Sequence, residues 1–150
     1  MESIFAVANW FLKKESMTQK KLQKLCYYAQ AWSYALRNEP LVDSEFEAWV
    51  HGPVSRRLYA HYGGTGFAPL SPNAVDTAFS PDIEEFLGSV WLTYGEHTGN
   101  SLEVLSHGEP PWLNARAGCD SHAKCENKIS PDDMKWYYRS IYEGDLETQV

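Results

Sequence analysis

Cysteine is scarce in this chain: three among 150 residues, at Cys26, Cys119 and Cys125. An odd count without regular spacing argues against a disulfide framework and fits a reducing, cytoplasmic setting with free thiols. Long apolar runs are also missing. No stretch approaches the roughly 20 residues a helix needs to cross a bilayer, and residues 1–3 carry no basic stretch of the kind that opens a secretory leader. Positive charge is outnumbered, 13 Lys and Arg against 20 Asp and Glu, for a formal net charge of -7. That balance argues against broad affinity for a nucleic-acid backbone, which needs clustered cations. The local cluster Lys13, Lys14, Lys20, Lys21 and Lys24 reads as a solvated helix face. No phosphate-cradling loop is present, because Gly63-Gly64-Thr65-Gly66 lacks the lysine and the strand–turn–helix context. No Gly-x-Ser-x-Gly nucleophile elbow occurs either. No cofactor is implied.

Aromatic residues, by contrast, are abundant: 6 Trp, 9 Tyr and 6 Phe in a chain that is 43% hydrophobic. A domain of this length buries roughly 70% of its unfolded surface and needs no covalent staple. Ile4, Phe5, Ala8, Phe11 and Leu12 recur at helical spacing and predict a helix near 3–13. Thr18 is the expected N-cap of a second helix over 19–37, whose stripe of Leu22, Leu25, Cys26, Ala29, Trp32 and Leu36 is widened by Tyr27, Tyr28 and Tyr34. This helix is expected to be central. Period-two alternation over 46–51 predicts a short strand, stopped by Gly52, with Pro53 opening a third helix. A further short strand is expected at 65–68.

Ser80-Pro81 caps the cleanest helical stripe, from Ile83 to Tyr94. Asn100 and Glu103 read as a capping box, and Gly108 as a left-handed helix end. A short helix over 112–116 follows, then a polar loop and a last helix capped by Ser130-Pro131. The expected fold is mainly α: a compact single-domain bundle of about six helices with one small β element. The domain is expected to span 1–143, followed by an acidic, frayed tail at 144–150.

Two segments set a His and a Trp beside backbone-fixing residues: 47–54 (Glu-Ala-Trp-Val-His-Gly-Pro-Val) and 105–112 (Leu-Ser-His-Gly-Glu-Pro-Pro-Trp). Gly52, Pro53, Val54 and Pro111 are read as structural, and Trp49, His51, His107, Glu109, Trp112 and Arg116 as candidate binding residues. Trp49 and Trp112 are expected to be partly buried on either side of a shallow groove. His51 and His107 suit turn-capping hydrogen bonds; the alternative is acid–base chemistry with Glu109 in a ligand pocket. Cys119, His122 and Cys125 carry zinc-ligand chemistry, but three ligands in one loop fall short of the usual four in two pairs.

Lys21-Leu22-Gln23-Lys24-Leu25-Cys26-Tyr27-Tyr28-Ala29-Gln30-Ala31-Trp32 resembles the opening signature of the SocA-like, or Panacea, antitoxin domain, also called the phage-associated GepA-like family. Residues 46–54 resemble its second block. Leu105-Ser106-His107 with Pro111-Trp112 and Ala115-Arg116 resembles its third, and Ile129-Ser130 with Met134 and Tyr137-Tyr138 its closing helix. The resemblance implies a mainly helical antitoxin with no catalytic residues. Its partner would be a cognate toxin encoded by a neighbouring gene, neutralised by direct binding. One branch of the family is an adaptor that delivers its toxin to a Clp-type protease, and other members occur in prophages. Residues 119–125 match no motif of the family.

Overall fold

Hydroxyl side chains set the helix starts. Ser3, Thr18 and Ser80 each accept a backbone N–H from the first turn that follows, which satisfies a donor the helix itself cannot. The computed structural model describes residues 1–148, with side chains through 144, and the elements run α1 (Ile4–Lys14), α2 (Gln19–Arg37), β1 (Glu47–Trp49), β2 (Gly52–Val54), α3 (Arg56–Tyr62), α4 (Pro81–Tyr94), α5 (Gly99–His107), α6 (Pro110–Ala115) and α7 (Pro131–Thr148). The domain is mainly α with one small antiparallel pair. None of the described helices is long and apolar enough to cross a membrane.

Helix α2 lies at the centre, packed by α7, α5, α1, α4, α3 and β2. Its alanines, Ala29, Ala31 and Ala35, are fully buried, and small side chains let neighbouring helices approach closely. Two buried glutamines on α2 hold loops that have no sheet to join. Gln30 Oε1 accepts the N–H groups of Leu41 and Val42 at 2.8 and 2.9 Å. Gln23 accepts the Ser55 N–H at 2.9 Å and donates to its carbonyl at 3.2 Å. Each pair satisfies backbone groups that would otherwise be buried without partners. Asn38 ends α2 in the left-handed region, at φ 58°.

The β element differs from the sequence expectation. Pro53 does not open a helix; it sits in β2 opposite Ala48, and α3 starts at Arg56 behind a Ser55 cap. Gly52, at φ 111°, lets the chain turn back after 50–51 so that 52–54 pairs with 47–49. A missing N–H at Pro53 costs nothing there, since Ala48 opposite turns both backbone groups away from β2: its carbonyl accepts from Arg116 at 2.8 Å and its N–H goes to the Asn127 carbonyl at 2.8 Å. Gly52 is called for by its φ, and the space beside it is filled by the end of the Lys24 side chain. A Cβ there would lie 2.6 Å from Lys24 Cε, under a φ that L residues avoid. Gly52→Ala is expected to cost about 2–3 kcal/mol, read as an earlier denaturation midpoint at unchanged slope. A loss within experimental error would show that the turn relaxes freely.

Other expectations shift in detail. Residues 65–68 form a turn, and the nearby bridge pairs Met17 with Leu70. Thr98, not Asn100, caps α5, because its hydroxyl is three residues before the Ser101 N–H. Asn100 instead accepts from Lys20 Nζ at 2.8 Å. Gly108 is right-handed, with φ -89°. Helix α7 continues to Thr148, into the segment read as an acidic tail from 144; residues 149–150 lie outside the described residues. The lysine cluster is a solvated face only in part: Lys13 and Lys14 are exposed, but Lys21 and Lys24 are both buried.

Candidate functional site

The hairpin is fastened to the bundle by the residues of the second motif. Trp112 is 7% exposed and donates its indole N–H to the Trp49 carbonyl at 3.0 Å. Arg116 is 5% exposed and donates to the Ala48 carbonyl at 2.8 Å. The same guanidinium gathers the carbonyls of Asp120 and Ala123 at 2.9 and 2.7 Å and lies 5.1 Å from the Trp112 ring centroid. Coiling that loop around Arg116 brings the Cys119 and Cys125 Cα atoms to 6.2 Å, and the two thiols are joined as a disulfide. This corrects the expectation of two free thiols. It also leaves Cys119 and Cys125 without thiolates to join His122 on a metal. Among the described residues no group of three or more His, Cys, Asp or Glu is placed to hold a metal ion. Cys26 remains a free, buried thiol.

His107 stacks on Trp112 at 4.1 Å, and burial holds its pKa below the usual histidine value against the opposing pull of Glu103 and a hydrogen bond to the Val50 backbone. His51 is exposed and meets Glu103 at 3.3 Å. Glu109 points elsewhere. Its Oε1 accepts from Tyr28 at 2.7 Å and Tyr138 at 2.8 Å, inside an aromatic cluster with Tyr27 and Tyr94. Burial raises its pKa against those two hydrogen bonds. The structure therefore brings His107 and Trp112 together and His51 to Glu103, but it does not bring Glu109 to either histidine. No acid–base pair is assembled from these three.

What the hairpin presents outward is Trp49. Its ring packs edge-on to Tyr59 at 4.9 Å and lies under the Arg56 guanidinium at 5.5 Å. Glu47 orders both neighbours, accepting the Trp49 indole N–H at 3.0 Å and two N–H groups of Arg56 at 2.9 and 3.1 Å. Partial burial pushes the Glu47 carboxyl up, and the bonds from Arg56 and Trp49 outweigh it, so the pKa is lowered. Trp49 and Trp112 do not flank one groove, as the sequence suggested, because Trp112 lies beneath the hairpin backbone.

Trp49, His51, Val54 and Tyr59 instead form a ridge between two open cavities. One, of about 470 Å³, is completed by Arg56, Lys124 and Glu126. The other, of about 400 Å³, reaches Gln19, Lys24 and Phe67, and Phe67 is 84% exposed. Lys24 at its floor is 2% exposed, and burial, helped by the nearby Lys20 charge and opposed by Glu103, lowers its pKa to about 7. The sequence reading missed Gln19, Lys24, Tyr59 and Phe67. One signal was available: Lys24 falls between Leu22 and Leu25 in a helix whose apolar stripe is too wide to leave that position in solvent.

These features define a small helical domain that displays an aromatic ridge formed by the hairpin and α3. The model of the antitoxin SocA-like, Panacea domain family matches residues 22–113, and the chain belongs to that family. Among curated proteins it is similar to Antitoxin SocA of Caulobacter vibrioides (strain NA1000 / CB15N), with 31% identity over 125 residues. That match covers 71% of this chain and 66% of the relative, so the chain spans just under two thirds of the curated relative's length. No solved structure matches the chain.

Proposed function

We propose that this chain is an antitoxin that neutralises a protein toxin, encoded by a neighbouring gene, by binding it directly through the ridge of Trp49 and Tyr59 and the neighbouring Phe67. The observation that carries this reading is the aromatic ridge itself, open on both sides, with Trp49 on a hairpin that Trp112 and Arg116 fasten to the bundle. Rigid exposed aromatics beside an Arg are the side chains that dominate protein interfaces. Membership of an antitoxin family supplies the class of partner. Trp112, Arg116 and Glu109 serve that role from beneath, as the supports of the hairpin and core. The chain acts without catalysis on this reading. The alternative pocket of His51, His107 and Glu109 is not favoured, since Glu109 is engaged by two tyrosines.

The test is co-expression with the product of each adjacent gene, scoring growth and then co-purification. Rescue with a stable complex supports direct neutralisation; rescue with disappearance of the toxin supports delivery to a Clp-type protease. Paired substitution Trp49→Ala with Phe67→Ala is expected to weaken the complex by about 2 kcal/mol or more per side chain and to abolish rescue. Undiminished rescue at equal folded protein level would exclude the ridge as the docking face.

A further inference from the structure

The cavity under Phe67 holds two polar groups that the chain itself leaves without partners. The Lys24 side chain makes no hydrogen bond or ion pair among the described residues, although it is 2% exposed. Gln19 is 7% exposed; its amide N–H groups go to the Tyr62 carbonyl at 2.9 Å and Thr65 Oγ1 at 3.2 Å, and its Oε1 is buried with no partner. Both residues line the cavity. They lie on α2, Gln19 in its first turn and Lys24 five residues on. Gln19 Oε1 is sealed from solvent, whereas Lys24 Nζ is not, so the unpaired amine at the cavity floor is the group a complementary ligand can reach.

The surrounding charges do not supply that partner. Glu103 is held by Lys20 and faces His51. Ser106 donates its hydroxyl to the Glu103 carbonyl at 3.1 Å. Lys20, paired with Glu103, lies beside the cavity, and Trp49, Tyr59 and Phe67 give it an apolar rim.

We infer that this cavity is the seat of an acidic-apolar peptide segment of the partner protein: an Asp or Glu carboxylate on Lys24 Nζ and a neighbouring apolar side chain against Tyr59 and Phe67. The inference rests on the reading of the chain as a protein-binding domain and names the chemistry of the bound segment. An uncharged amide is a poor substitute, since a charge-assisted hydrogen bond is about twice as strong as a neutral one. Selectivity for acidic segments follows, in spite of the chain's net charge of -7, because the local donors and not the total charge face the ligand.

The test uses two isosteric probes, acetyl-Leu-Asp-amide and acetyl-Leu-Asn-amide, titrated into the isotope-labelled full chain by NMR. The Asp probe is expected to give saturable shifts at the Lys24 ε-methylene and the Gln19 side-chain amide. It should also raise the Lys24 titration midpoint, and it should bind about tenfold or more tightly than the Asn probe. Lys24→Met is expected to abolish the difference between the probes. Equal binding of the two probes, or an unchanged Lys24 titration in the wild-type chain with the Asp probe at saturation, would overturn the inference. Failure here with toxin rescue intact would remove the acidic-segment site alone. Probe binding with no toxin among the neighbouring genes would remove the antitoxin reading and leave the site.

Discussion

Replacing Lys24 by methionine is expected to stabilise the folded chain at pH 7 by about 3 kcal/mol and to remove a pH dependence that the wild type shows. The lysine is 2% exposed and its pKa falls from 10.5 to about 7, chiefly through burial. The folded-state pKa is depressed, so between about pH 7 and 10.5 the unfolded chain binds more protons at this site than the folded one. Stability from this group is therefore complete above 10.5 and is lost as pH falls towards 7. The wild type should gain stability between pH 7 and 9.5, and Lys24→Met should lack this site's share of that gain. The charged and titratable groups facing the amine are Lys20 on α2 and Glu103 and His107 on α5. Burial holds His107 below the usual histidine value, so its titration lies beneath that window. Tyr27, Tyr28 and Tyr138 are raised by burial, so their share of stability is lost only at still higher pH. Chemical denaturation at pH 7 and 9.5 measures both effects. Equal midpoints for wild type and variant at pH 7 would show that Lys24 is solvated. A residue that lowers the stability of its own fold while lining an open cavity is placed as function, not packing, would require.

Removal of the Arg116 guanidinium should work in the opposite direction. Arg116→Met deprives the carbonyls of Ala48, Asp120 and Ala123 of a buried donor and takes the cation from the Trp112 face. The expected loss is about 3–5 kcal/mol, or a melting temperature lower by roughly 6–15 °C. Arg116→Lys should recover only part of it, since an ammonium cannot span carbonyls from two separate segments as a planar fork does. The hairpin and the 116–127 loop should loosen together, seen as faster amide exchange at Ala48, whose N–H is held by Asn127. A melting temperature within 2 °C of wild type, at the roughly 2–4 °C per kcal/mol typical of this size, would mean that the loop is held by other contacts.

The two variants also separate what each lysine and arginine does from what charge counting suggests. Lys24 and Arg116 are both buried cations in an acidic chain. Arg116 has its donors matched to carbonyls and stabilises; Lys24 is unmatched and costs stability. The sequence marks neither difference.

Helix positions were legible from local signals. Ser3, Thr18 and Ser80 are hydroxyls before amphipathic runs, and the helices begin where their oxygens can reach the first turn. The breadth of the apolar stripe on α2 announced its central place, and α7, α5, α1 and α4 do surround it. The pattern Trp49-x-His51-Gly52-Pro53-Val54 marked the hairpin as special, though its geometry was misread: the same Gly-Pro pair suits a helix start or an edge-strand turn, and only the Asn127 and Ala48 pairing chooses between them.

By itself, then, the sequence determined the mainly helical architecture and the family, because each depends on spacing within a few residues or on ordered motifs. Tertiary structure alone decided which of the motif residues face solvent. Trp49 and Trp112 carry the same side chain, yet one is the ridge and the other its support, since the indole of Trp112 is drawn under the hairpin to the Trp49 carbonyl. It decided that Glu109 belongs with Tyr28 and Tyr138, from segments 81 and 29 residues away in the chain. It decided that Cys119 meets Cys125 around Arg116, and that Lys24 and Gln19 open into one cavity. These are long-range coincidences of packing, and no local period encodes them.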